Sequence, residues 1–180
     1  IMSRPVFVVG FMASGKTSLG KKLANALKKT FVDLDREIER RIKMSISEFV
    51  LKEGWEELRT IEHDALISLD LEGKFVATGG GTPCYFDSID YMKDRGTVIF
   101  FDIHEEILFS RLRSQEHRDR PLIATLSGED LRDFIKTSLS QRRPIYEQAH
   151  LTFNPVKQSV EEMATTINSY AVSIAEPHQQ

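Results

Sequence analysis

The stretch Gly10-Phe11-Met12-Ala13-Ser14-Gly15-Lys16-Thr17 constrains this chain more than any other. It fits glycine, four residues of any kind, then Gly-Lys-Thr without a gap. A short apolar run, Val6 to Val9, leads into it, and a stretch with helical periodicity follows. Backbone N–H groups of residues 13 to 17 can gather at the positive end of that helix and wrap an anionic phosphate. Lys16 then reaches the terminal phosphates, and the Thr17 hydroxyl reaches Mg²⁺. The device works only if a strand delivers the chain to the loop and a helix carries it away, so the motif demands an α/β fold and predicts a bound nucleotide. Ala13 stands where many such loops carry a further glycine, a residue the pattern does not require.

The rest of the chain repeats the strand-then-helix rhythm. Strands are predicted at Val6 to Val9, Phe31 to Asp33, Phe75 to Thr78, Val98 to Phe101 and Leu151 to Phe153. Most are apolar throughout rather than alternating, the mark of parallel strands covered on both faces. Helices are predicted at Lys16 to Lys29, Asp35 to Lys43, Trp55 to Leu69, Ile89 to Lys93, Glu105 to Arg113, Gly128 to Arg142 and Val160 to Ser173. The expected fold is a three-layer α/β/α sandwich around a five-stranded parallel sheet. Met44 to Gly54 reads as a turn with a short helix. Ser114 to Ser127 is polar and aperiodic and reads as a mobile lid.

Composition narrows the partners. The chain has 180 residues, 24 Lys plus Arg against 27 Asp plus Glu and a net charge of -3, which disfavours nucleic acid or an anionic membrane as a partner. A single cysteine, Cys84, rules out an internal disulfide and points to a reducing cytoplasm. No apolar run reaches the roughly 20 residues of a membrane helix. One domain and a monomer are expected. Ile1 and the tail from Glu176 to Gln180 are set aside from fold reasoning.

A phosphate loop does not name the second substrate, which in such sheets lies at the carboxyl ends of the strands. The second predicted strand ends Asp33-Leu34-Asp35, placing two carboxylates on one side. Asp33 is a candidate for the metal's surroundings and Asp35 for taking a hydroxyl proton; N-capping of the next helix is the alternative. The third strand ends in Gly79-Gly80-Gly81, suited to close approach of a ligand, with a bare tight turn as the alternative. Arg59 and Arg142 lie on helices, where a lone arginine is usually solvated. Arg113, Arg118 and Arg120 flank or lie in the lid, where cations suit a phosphoryl group in flight. Trp55 reads first as a packing residue, and His63 as a helix surface group.

Together these residues resemble the shikimate kinases, small P-loop kinases related in fold to nucleoside monophosphate kinases. The resemblance rests on the phosphate loop, Asp33-Leu34-Asp35, Glu57-Leu58-Arg59 with Glu62, Gly79-Gly80-Gly81, Arg120-Pro121-Leu122 and Arg142-Arg143-Pro144-Ile145-Tyr146. It implies transfer of the γ-phosphate of ATP to the 3-hydroxyl of shikimate, with Mg²⁺, on the way to chorismate and the aromatic amino acids. It further implies that Asp35 binds the acceptor hydroxyls as base or orienter and that Arg59 and Arg142 grip the carboxylate. Gly79, Gly80 and Gly81 would lie against the ring. ATP would be held by Ala13, Ser14, Gly15, Lys16, Thr17 and Ser18, with Arg113 on adenine and Arg120 on the transferring group. Thr17 and Asp33 would hold Mg²⁺. The adenine loop is expected around Asn154 to Ser159. Within the resemblance, the acceptor segment is about 34–62 and the lid about 114–127. Leu58 stands where the family often has Phe, and the aromatic near Phe49 and Val50 is shifted by one position; Trp55 is placed to compensate. Rival readings are a kinase for gluconate or a nucleoside monophosphate, and a nucleotide-dependent switch without catalysis.

Overall fold

The computed structural model describes residues 4–114, 120 and 122–175. Five strands, β1 (Val6–Val9), β2 (Thr30–Asp33), β3 (Lys74–Ala77), β4 (Thr97–Phe101) and β5 (Leu151–Phe153), form one sheet in the order β2-β3-β1-β4-β5. All pairings are parallel, with Val6 opposite Phe75 on one side and Thr97 on the other. The chain thus leaves β1 in both directions, and its crossovers part at the carboxyl end of that strand, where a crevice opens.

The two-residue period of the strands divides the core. Val6, Val8, Phe75, Ala77, Ile99 and Phe101 pack with Leu23 of α1 (Ser18–Ala26) and with Met163 and Ile167 of α8 (Val160–Ala175). On the opposite face, Phe7, Val9, Val76, Val98 and Phe100 pack with Ile38 of α2 (Leu34–Ile42), Leu66 of α4 (Trp55–Ile67) and Met92 of α5 (Ser88–Arg95). Leu108 of α6 (Glu105–Leu112) and Ile135 of α7 (Gly128–Tyr146) complete that layer. The sandwich is the predicted one. Every residue of β1 and β4 is buried, but the edge strands β2 and β5 are partly open, because each has a neighbour on one side only. Met44 to Gly54 contributes α3 (Ile46–Glu53), started by a reciprocal capping box between Ser45 and Glu48.

Most element boundaries lie within a few residues of the sequence reading, and the larger shifts have local causes. The first helix ends at Ala26, not Lys29: Lys28 takes a left-handed φ of 55° and the Lys29 N–H turns back to the Ala24 carbonyl at 2.9 Å. A lysine occupies the place glycine usually marks, so the stop gave no signal. Asp33 ends β2 as read and also caps α2, its Oδ1 accepting from the N–H groups of Asp35 and Arg36 at 3.1 and 3.3 Å, so Asp35 lies in the first turn of the helix predicted to hold it. The seventh helix runs past Arg142 through Pro144. Its last turn is pinned by Tyr146, which is fully buried and donates to the Gly80 carbonyl at 2.6 Å, and that anchoring outweighs the helix bond proline removes.

Of the expected lid, 115–119 and 121 lie outside the described residues, Arg118 and Pro121 among them; so do Ile1 and the tail 176–180. The part from 122 on is held to the body by Ile123, buried in the larger core, with turn bonds from the Ile123 N–H to the Arg120 carbonyl and from the Leu126 N–H to the Ile123 carbonyl. Among the described residues, no helix is long and apolar enough to cross a membrane.

Candidate active site

The phosphate loop leaves β1 at Gly10, whose φ of 152° and tight surroundings both require glycine: a Cβ there would lie 2.9 Å from the Phe101 carbonyl oxygen. Ala13 and Gly15 follow in left-handed conformations. Helical bonding starts at once, with the Leu19 N–H on the Gly15 carbonyl at 2.9 Å, so the loop opens on a helix N-terminus. Lys16 is buried, and its Nζ donates to the carbonyls of Gly10 and Phe11, both at 2.8 Å. Burial lowers the Lys16 pKa to about 7; Arg120 acts in the same direction and Asp35 against it. Ser14 is buried, and its Oγ has no hydrogen-bond partner among the described residues. Thr17 and Ser18 are exposed at the start of α1.

Beside the loop, Asp33 serves two neighbours. While its Oδ1 caps α2, its Oδ2 accepts from the Thr17 hydroxyl at 3.0 Å. Asp35 is turned inward, and burial, joined by Glu62 and Asp33 and opposed by Lys16 and Arg120, raises its pKa to about 6. Arg120 is half-buried; burial works against its charge and the two aspartates support it.

The far wall is built around Arg59. Far from being a solvated surface charge, this guanidinium is buried, with Nη1 donating to Glu62 Oε2 at 2.7 Å. It lies over the rings of Trp55 at 5.3 Å and Tyr85 at 4.5 Å. Its Nε is buried with no hydrogen-bond partner among the described residues. The glycine run makes the room. None of Gly79, Gly80 and Gly81 has a positive φ, so space and not backbone freedom is what they supply. A Cβ on Gly79 would meet Asp35 Oδ1 at 2.9 Å, one on Gly80 would meet Arg142 Nη1 at 3.4 Å, and one on Gly81 would meet Arg59 Nη1 at 2.5 Å. Asp33, Asp35, Arg59, Glu62, the three glycines, Arg120 and Arg142 thereby border one cavity of about 750 Å³, together with Thr17. Leu58 and Trp55 form its apolar side, and behind them Leu58 packs with Phe49 and Val50. The shifted aromatic is thus core, and Trp55 reaches the cavity.

Other residues stand apart. Arg113 is exposed beyond the end of α6, its guanidinium 5.9 Å from the Phe109 ring. The guanidinium that touches the phosphate loop is that of Arg111, two residues earlier. His63 is not a surface group: it is half-buried, its Nδ1 3.1 Å from Ser88 Oγ, because the turn before α5 folds over α4 and lays Phe86 on the imidazole ring. Burial pushes the Cys84 thiol up, which leaves it a poor nucleophile. Asn154 starts a turn that ends at Ser159, whose hydroxyl accepts from the Glu162 N–H at the head of α8. Two buried partners of the site belong to the motifs of the resemblance but carry no role in the sequence reading. Glu62 stands three residues after Arg59, a helical pairing distance, and Tyr146 is the last residue of its helix.

The sequence profile of the shikimate kinases matches residues 12–171. The chain belongs to the shikimate kinase family. Among its relatives in that family, shikimate kinase from Phocaeicola vulgatus is 40% identical over 149 residues, covering 82% of this chain and 85% of the relative. Shikimate kinase from Parabacteroides distasonis is 38% identical over 170 residues, 94% of this chain and 98% of the relative. Shikimate kinase from Acinetobacter baumannii, solved in complex with shikimate, superposes with a TM-score of 0.83 at 29% identity over 97% of this chain and 96% of that one.

Proposed function

We propose that this chain transfers the γ-phosphate of ATP to the 3-hydroxyl of shikimate, giving shikimate 3-phosphate and ADP. The observation that carries the reading is the meeting of Asp35, Arg59 and Arg142 around Gly79–Gly81, directly across from the phosphate loop. A small hydroxylated acid needs a charge-assisted clamp for its carboxylate and an acceptor for its hydroxyls, and these residues are of those kinds. The orphaned Arg59 Nε supports an anionic partner at that wall. Asp35 would take the hydroxyl proton. Lys16, Arg120 and the loop amides would surround the phosphoryl oxygens. Arg113 and the turn after Asn154 would flank adenine.

The Thr17 hydroxyl and the Asp33 carboxylate, 3.0 Å apart, are hard oxygen donors of the type Mg²⁺ takes when most of its remaining ligands are water and phosphate. They would hold that ion, which when bound draws charge off the β- and γ-phosphates. The ground state costs little reorganisation: Arg59 is fixed by Glu62 and two rings, and Gly80 by Tyr146. We read the chain as one kinase domain and monomer of the cytoplasm, with acceptor segment 34–62 and lid 114–127.

Phosphorylation assays with shikimate, gluconate and nucleoside monophosphates side by side test the acceptor. Transfer to shikimate alone is expected; transfer only to one of the others would overturn the assignment. Gly81→Ala tests the wall. The backbone accepts alanine, but the new methyl lands on a guanidinium that cannot retreat, so the KM for shikimate should rise at least ~10-fold while that for ATP stays within about 2-fold. Equal changes in both would show that the substitution acts on the fold as a whole.

A further inference from the structure

Ala13 holds a backbone conformation that its side chain disfavours. Its φ of 63° lies in the left-handed region, where a Cβ crowds the following carbonyl and where glycine would sit without penalty. The residue lies in the turn of the phosphate loop, between the bond from the Ser14 N–H to the Phe11 carbonyl at 3.2 Å and the positive φ of Gly15. Its conformation therefore sets the direction of every amide that follows. Something must hold it there. The Ala13 carbonyl accepts a hydrogen bond of 2.8 Å from Arg111 Nη1, across 98 positions of sequence. Because the peptide is planar and trans, fixing this carbonyl also fixes the Ser14 N–H, which points the opposite way. A hydrogen bond to a charged donor is of the size needed to offset what one left-handed alanine typically costs.

We propose that Arg111 is a positioning residue for nucleotide binding, its guanidinium holding Ala13 in the left-handed conformation that shapes the phosphate loop. Arg111 stands in the last turn of α6, and its own carbonyl accepts from the Ser114 hydroxyl at 2.8 Å, where the expected lid begins. The contact therefore ties the loop to the base of the lid. This deepens the nucleotide half of the proposed function and is independent of which acceptor is used.

The test is a calorimetric titration with ADP, without acceptor, on the parent chain, Arg111→Met, Ala13→Gly and the double variant. Arg111→Met should weaken ADP binding about 10-fold in the parent background but less than about 3-fold in the Ala13→Gly background, where glycine adopts the turn unaided. A loss due only to removal of a positive charge would be the same in both backgrounds, and equal losses would overturn the proposal, as would no loss in either. Arg111→Gln serves in the same cycle should the methionine variant fail to fold. A parent chain that bound no ADP would overturn the proposed function itself and this inference with it.

Discussion

Asp35→Asn lowers kcat by about 10²–10⁴-fold and, near pH 7.5, stabilises the folded chain by up to roughly 3 kcal/mol. The two effects share one cause. Burial, with Glu62 and Asp33 close by, raises the Asp35 pKa to about 6 from an ordinary 3.8. The folded state thus binds this proton more tightly than the unfolded chain does. Stability from the group is fully present below the ordinary value, falls as pH rises through the interval to about 6, and is gone at neutral pH. Asparagine keeps the shape and removes the charge, so the melting temperature should rise by up to about 10 °C near pH 7.5 and change little near pH 3.5. Catalysis runs the other way. Only the ionised carboxylate accepts a proton, so kcat/KM of the parent should fall about tenfold per pH unit below about 6, and the variant should lose that limb. A variant no more stable near neutral pH would show that Asp35 is not held at a cost; one with full activity would remove it from proton transfer.

Arg120→Ala lowers kcat about 10³-fold or more with a smaller change in the KM for the acceptor. Phosphoryl transfer asks for little covalent help; its transition state asks for cations around equatorial oxygens. Arg120 borders the cavity with Asp33 and Asp35, is close enough to Lys16 to depress its pKa, and is itself half-buried, so its field is screened less than that of a surface charge. An interaction made chiefly in the transition state shows in kcat and not in binding. Steady-state kinetics over both substrates measure the split. An unchanged kcat would take Arg120 out of the chemistry, and a loss confined to KM would make it a binding residue.

Elements with strong local signals were legible before any coordinates. The apolar runs of β1 and β4 became central buried strands, and the phosphate loop sits between strand and helix as its pattern requires. Where local chemistry competes, boundaries moved: Lys28 took a glycine's conformation, and Tyr146 carried a helix through Pro144. The glycine run reads in sequence as room for a ligand; what the structure lays against it are the chain's own Asp35, Arg59 and Arg142 side chains. Glu62 and Arg111 went unassigned because each acts on a neighbour through burial or across distant sequence.

By itself the sequence determined the layers, the phosphate loop and the set of polar residues available to the site, because periodicity and short motifs are written in neighbouring positions. Only the tertiary structure decided which of the scattered arginines face one cavity, which carboxylate is pushed up by burial, and which guanidinium braces the loop. Those outcomes depend on distances and desolvation between residues tens of positions apart, and no local pattern encodes them.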